Sequence, residues 1–134
     1  MFFLQSFRGV KVYIGIDLVE VGRIRDLFTR HESFLGRIYT PKEVEYSLSK
    51  RNKFEHLAAR FAIKEAVVKA LGTGMKWTDI ELLNDPSGRP YLKLHGRAKE
   101  LANEKGIHTW DVSITHTKEH AVGQVLLMPG ISSR

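Results

Sequence analysis

Glu65 and Lys69 stand one helical turn apart in the segment LAARFAIKEAVVKALGTG, residues 57–74. At about 100° per residue, and with Leu57 as zero, Phe54, Phe61 and Val68 lie within about 60° and define an apolar centre. Glu65 then falls at about 80° and Lys69 at about 120°, at the edge of that arc and near Ala58 and Ala62. A carboxylate and an ammonium beside side chains too small to fill the space form the wall of a cleft. The competing reading is an i,i+4 pair on a solvated helix, worth about 0.2 to 0.5 kcal/mol. Arg60 and Lys64 point toward the other edge of the arc, where snorkelling of their stems accounts for them.

Asp17 poses a similar choice. In Asp17-Leu18-Val19-Glu20 the spacing is that of a capping box. Alternatively Asp17 is a hard oxygen ligand at the end of a strand. Should Asp17 and Glu65 converge, they would supply the one or two carboxylates with which proteins hold Mg²⁺, leaving other positions for water and substrate phosphate. His116 closes a β-rich run at the mouth of a turn, where a lone histidine is more often structural than functional. His120 follows four residues later, but outside a helix that spacing does not define a metal pair. Asp111, Ser113 and His116 have the types of a hydrolase triad, yet on a strand Asp111 and Ser113 share a face that His116 does not. No G-x-G-x-x-G, Walker-type loop, H-E-x-x-H or G-x-S-x-G occurs.

The elements that must position these residues are legible. Residues 10–19 are rich in β-branched and aromatic types and predict a strand with Asp17 at its end. From Glu20 to Phe34, Val21, Ile24, Leu27 and Phe28 recur at helical spacing between Arg23, Arg25 and Arg30, a basic amphipathic helix. Thr40-Pro41 with Glu43 is a helix start, and that helix runs to about Leu48. A basic loop of 49–53 follows, then a helix from Phe54 to Leu71 that stops at Gly72. Ile80–Leu83 and Tyr91–Leu94 predict a hairpin around a cluster of turn formers. A helix over 97–105 and strands over 110–115 and 121–128 complete an α+β order, with antiparallel pairing where connections are short.

Composition bounds the setting. The 134 residues are about one domain, 43% apolar and 27% charged, as in ordinary globular chains. Without cysteine there is no disulfide, thiolate nucleophile or thiolate metal site, and a reducing cytoplasm is the expected compartment. Gln5, Ser6, Arg8 and Lys11 break the apolar start at 1–4, so neither a signal sequence nor a membrane span is expected. Twenty-one Lys and Arg against 15 Asp and Glu leave a net charge of +6, a field that favours an anionic partner without choosing one.

Four ordered motifs choose: GIDLVEVGRI at 15–24, LAARFAIKEAVVKALGTG at 57–74, GRPY at 88–91 and SITHT at 113–117. Together they resemble the holo-acyl-carrier-protein synthases, the small bacterial type of 4′-phosphopantetheinyl transferase, over residues 12–128. The resemblance implies an antiparallel sheet packed against helices in a single domain over 1–134, with 1–10 an extension, 129–134 a tail, and a homotrimeric assembly with sites between subunits. It implies transfer of 4′-phosphopantetheine from coenzyme A to a serine of apo-acyl carrier protein, with release of adenosine 3′,5′-bisphosphate, in support of fatty acid biosynthesis. Asp17 and Glu65 match its Mg²⁺-binding carboxylates, Glu65 its proton acceptor and Lys69 the lysine beside the pyrophosphate. Arg60 matches a contact to the nucleotide phosphates, and the resemblance implies that Lys50, Arg51 and Lys53 support the 3′-phosphate and that His116 contacts coenzyme A. The resemblance further implies that residues 88–91 line the adenine pocket. Because carrier proteins of this family are acidic, the resemblance implies that Arg23 and Arg30 of the basic helix form the docking surface, which would account for the net charge through steering. Two other classes are set against this reading, a non-catalytic coenzyme A-binding regulatory protein and a basic nucleic-acid-binding module. An Mg²⁺ carboxylate pair argues against the first, and the absence of RNA-binding signatures against the second.

Overall fold

The computed structural model describes residues 11–130; the expected extension at 1–10 and the end of the expected tail at 131–134 lie outside the described residues. The elements are β1 (Tyr13–Glu20), α1 (Val21–Arg30), α2 (Phe34–Ile38), α3 (Pro41–Leu48), α4 (Lys53–Leu71), a 3₁₀ turn (Trp77–Asp79), β2 (Ile80–Asn84), β3 (Pro90–Leu94), α5 (Gly96–Glu104), β4 (Ile107–His116) and β5 (His120–Pro129). β1, β5 and β4 form one antiparallel sheet in that order, and β2 and β3 pair as a separate hairpin. The expected α+β class holds, with helices packed on one face of the sheet.

Local signals act as the chemistry of their residues dictates. Thr40 caps α3 through a reciprocal box with Glu43, and Pro41 occupies the first turn. α4 ends at Gly72, whose φ of 109° suits a residue without Cβ. The basic segment 20–34 is not one helix, because α1 stops at Arg30 and a separate turn of helix begins at Phe34. Pro129, expected in the tail, belongs instead to β5 and pairs with Ile107.

α4 is the axis of the molecule, and its burial departs most from expectation. Arg60 is 1% exposed and Lys64 0%, so neither snorkels to solvent. α4 is enclosed on nearly every side: one apolar cluster packs Leu57, Ala58, Phe61 and Ala62 against α1, and another packs Ile63, Ala66, Val67 and Leu71 against β2, β3, β5 and α5. A helix surrounded by protein has no polar edge to which a stem can climb. Lys64 instead pairs with Glu43 of α3 at 2.8 Å and donates to the Trp77 carbonyl at 3.0 Å and to the Ile80 carbonyl. Glu43 also accepts from the backbone N–H groups of Thr40 and Leu82, both at 2.9 Å.

The sheet meets this helix at two glycines. A Cβ at Gly15 of β1 would lie 1.9 Å from the Ala66 carbonyl oxygen, and one at Gly123 of β5 would lie 2.8 Å from the Ile63 nitrogen. Both contacts are closer than any side chain allows, so only glycine lets β1 and β5 rest on the helix backbone. That approach places the inner face of β1, carrying Tyr13, Gly15, Asp17 and Val19, directly over α4.

Candidate active site

Asp17 lies inside β1, paired in register with Gly123, rather than at a strand end or helix cap. The N-cap of α1 is Glu20, and no side chain caps that helix. The capping-box alternative therefore fails: β1 continues through Val19, whose side chain is drawn into the core, and carries the backbone past the point where Asp17 could reach N–H groups of α1. Asp17 instead faces α4, and its neighbour across the ladder has no side chain to cover it.

Lys69 of α4 donates to Asp17 Oδ1 at 2.9 Å and to the Ile16 carbonyl at 3.0 Å. This bond joins helix to strand and replaces the Glu65–Lys69 pair of the solvated-helix reading. Glu65, one turn before Lys69, is near enough to feel the same charges: partial burial and then the negative charge of Asp17 push its carboxyl above the ordinary range, while Arg23 and Lys69 pull the other way. Two carboxylates, one ammonium and the Arg23 guanidinium thus converge where β1, α1 and α4 meet. The proximity of Arg23 is new relative to the sequence, which assigns it to docking alone; its guanidinium also lies 5.7 Å from the Phe61 ring.

The donor set fits a hard divalent cation. Mutual repulsion between Asp17 and Glu65 is what a bound cation would relieve, and no third His, Asp or Glu joins them to make a closed cage among the described residues. Mg²⁺ typically takes one or two carboxylates and leaves its other positions to water and phosphate oxygens.

A second cluster lies along the N-terminal half of α4. Arg60 donates through Nη2 to Asn84 Oδ1 at 2.5 Å, and its Nε and Nη1 have no hydrogen-bond partner among the described residues. Its guanidinium lies 4.5 Å from the Tyr46 ring centroid, and Lys50 Nζ lies 4.7 Å from the same ring. Burial holds the Arg60 pKa below its usual value, and Glu43 opposes the shift. Unpaired buried N–H groups on a desolvated cation are suited to an anionic oxygen. Asn84 was not legible as a site residue: its Nδ2 donates to the Gly88 carbonyl at 3.0 Å, tying Arg60 to the 85–89 turn. That turn is ordered by Asp85 Oδ1, which accepts from Ser87 N, Ser87 Oγ and Arg89 N.

His116 ends β4, opposite Ala121, and its Nδ1 lies 2.7 Å from Glu55 Oε1 in the first turn of α4. The His56 ring is 5.4 Å from His116 and 5.6 Å from Tyr46. Burial, with the charges of Arg60, His116 and Lys50, pushes His56 down to about 4. Asp111 and Ser113 lie on the exposed outer face of β4, apart from His116, so no triad forms.

The other expected contacts are less gathered. Lys53 is the first residue of α4 rather than part of a loop, and its ammonium rests over Phe28 and Phe54 at 5.5 and 5.3 Å. Arg51 and Lys53 line a small cavity with Arg25, Glu55 and Lys118. Arg23, Arg25, Arg30 and Lys118 line a shallow groove along α1 that also holds Glu20, Asp26 and Glu119. No helix is long and apolar enough to cross a membrane among the described residues.

A family model described as the 4′-phosphopantetheinyl transferase superfamily matches residues 13–125. Curated relatives named holo-(acyl-carrier-protein) synthase include one from Koribacter versatilis, 48% identical over 118 residues and covering 84% of this chain and 94% of its own length. Another, from Thermoanaerobacter sp. (strain X514), is 42% identical over 124 residues, 90% of each chain. Among solved structures, the holo-ACP-synthase of Plasmodium yoelii superposes with a TM-score of 0.79 at 29% identity, over 92% of this chain and 100% of that one. The holo-(acyl-carrier-protein) synthase of Bacillus anthracis, solved in complex with CoA (3′,5′-ADP), superposes with a TM-score of 0.74 at 35% identity, over 91% and 100%.

Proposed function

The chain belongs to the 4′-phosphopantetheinyl transferase superfamily, and from that membership we propose how it works as a holo-(acyl-carrier-protein) synthase. It transfers 4′-phosphopantetheine from coenzyme A to a serine hydroxyl of apo-acyl carrier protein and releases adenosine 3′,5′-bisphosphate. The observation that carries the reading is the meeting of Asp17, Glu65 and Lys69 across β1 and α4.

Asp17 and Glu65 would hold Mg²⁺, which when bound would offset the charge of the pyrophosphate oxygens. Glu65, its carboxyl raised by burial and by Asp17, accepts the serine proton. Lys69, anchored by Asp17 and the Ile16 carbonyl, presents its ammonium to the leaving phosphate. Arg60 directs its free N–H groups at nucleotide phosphate oxygens, with Lys50 beside it and Arg51 and Lys53 further along the same end of α4. His116 contacts coenzyme A, and the 88–91 segment lines the adenine.

The active site is shared between chains of a homotrimer. Ten residues of helix separate Glu55 from Glu65, an axial distance of about 15 Å, and Arg60 lies about 140° around the helix from Glu65. One chain therefore offers the carboxylate and nucleotide groups on different faces, and a neighbour's cluster completes each site. The outer face of β1 supports assembly, with Ile14, Ile16 and Leu18 exposed by 60, 53 and 62%. Burying each is worth about 1.5 to 3 kcal/mol, and beside them Val122 and Leu126 of β5 extend the patch. Residues 1–134 act as one domain in the cytoplasm, in fatty acid biosynthesis.

Intact-mass spectrometry of apo-acyl carrier protein with this protein, coenzyme A and Mg²⁺ tests the function, and native mass of the same enzyme tests the assembly. A gain equal to one phosphopantetheine arm, absent with EDTA and restored by Mg²⁺, is expected from three-chain particles. No gain with several carriers would return the chain to a coenzyme A-binding role without transfer.

Arg23 and Arg30 along α1 dock the acidic carrier. Because Arg23 also stands near Glu65, Arg23→Glu is expected to raise KM for carrier protein about tenfold or more through lost steering, and to lower kcat as well. KM for coenzyme A is expected to change much less, and equal rises in both KM values would place docking elsewhere.

A further inference from the structure

Glu55 occupies the third position of α4, where a glutamate ordinarily turns back to the N-cap backbone. It does not do so here: no side chain caps the helix, and Glu55 Oε1 lies instead 2.7 Å from His116 Nδ1 at the end of β4. Both groups are largely enclosed, the histidine side chain 25% and the glutamate 17% exposed. If Glu55 is the acceptor, as an ionised carboxylate must be, the proton between them sits on Nδ1. A free neutral imidazole favours its other tautomer, with the proton on Nε2, so this contact selects against the intrinsic preference.

We propose that Glu55 is a positioning residue for coenzyme A: it fixes His116 in the Nδ1–H form and leaves Nε2 as the ring atom that meets the ligand. The inference rests on the reading of His116 as a coenzyme A contact. The second imidazole reinforces the arrangement. His56, wedged between Tyr46 and His116, is held neutral at physiological pH by burial and by Arg60, His116 and Lys50, so it packs against the His116 ring without adding charge. His116 is thereby gripped from β4 by its backbone, from the first turn of α4 by Glu55, and across one face by His56. Histidines that contact metals or substrates are commonly oriented in this way through the nitrogen that does not touch the ligand.

A first-turn carboxylate also interacts favourably with the helix dipole whatever its partner, so the test needs a readout to which that role is silent. Imidazole ¹⁵N NMR of the enzyme reports which ring nitrogen of His116 carries the proton. The Nδ1–H form is expected in the unsubstituted protein and a shift toward Nε2–H in Glu55→Gln. Steady-state kinetics of the same variant are expected to give a rise of about fivefold in KM for coenzyme A, with KM for carrier protein unchanged. His116→Ala is expected to raise KM for coenzyme A further, and adding Glu55→Gln to it is expected to cost nothing more.

If His116→Ala weakens coenzyme A binding while Glu55→Gln leaves both tautomer and KM as they were, the role of Glu55 is overturned and that of His116 stands. If His116→Ala leaves KM for coenzyme A unchanged, the contact itself is wrong and the proposal falls with it.

Discussion

Glu65→Gln is expected to lower kcat by a factor of about 10² to 10⁴, the usual contribution of a positioned proton acceptor, while the protein stays folded. The amide keeps the shape of the side chain and loses both the base and a metal-binding charge. Stability is expected to hold or rise. Burial and the Asp17 charge hold the Glu65 carboxyl above its unfolded range. Its ionised form is therefore disfavoured by folding, and the penalty is fully present above the folded pKa. At neutral pH, removing that charge removes the penalty. Single-turnover transfer and a thermal melt on the same sample check both halves. A variant retaining more than about a tenth of the wild-type rate would exclude Glu65 as the base, and a large loss of stability would recast it as structural.

The largest effect on stability is expected at the other lysine of the same motif. Lys64→Met would leave the Glu43 carboxylate fully buried beside Thr40 and Leu82 with its cationic partner gone. Breaking a buried pair from one side typically costs about 3 to 5 kcal/mol. For a chain of this size the thermal midpoint should fall by about 10 °C or more. Adding Glu43→Gln is expected to recover part of the loss, because an amide oxygen can still accept from a backbone N–H while the uncompensated charge is gone. A Lys64→Met protein that melts like the wild type would mean that the pair contributes little. The function should follow the packing: α3 carries Tyr46, against which Arg60 and His56 rest, so loosening α3 from α4 is expected to raise KM for coenzyme A before it touches kcat.

The spacing of residues along the chain was enough to locate Thr40 as a cap, Gly72 as a stop, the hairpin over 80–94 and the motif pair Glu65 and Lys69. Each depends on forces that act within a few residues: a hydroxyl reaching an N–H three positions on, a positive φ, an alternation of side chains. The motifs carried the family as well, since their order and composition are properties of the chain itself.

Only the tertiary structure decided what those residues touch. Arg60 and Lys64 read as snorkelling stems because a helical wheel assumes solvent on one side, and α4 has protein on nearly all. Asp17 read equally well as a cap, because four-residue spacing cannot tell whether the backbone continues as strand. Glu55 and Asn84 were indistinguishable from a first-turn acid and a turn former until β4 and α4 were seen to place their partners within hydrogen-bond reach. The meeting of Asp17 with Lys69 and Glu65 depends on two glycines, Gly15 and Gly123, whose missing side chains let the sheet settle onto the helix. A glycine in a strand signals close approach without saying to what. The partner is set by packing between elements far apart in the chain, where long-range burial rather than local propensity dominates the free energy.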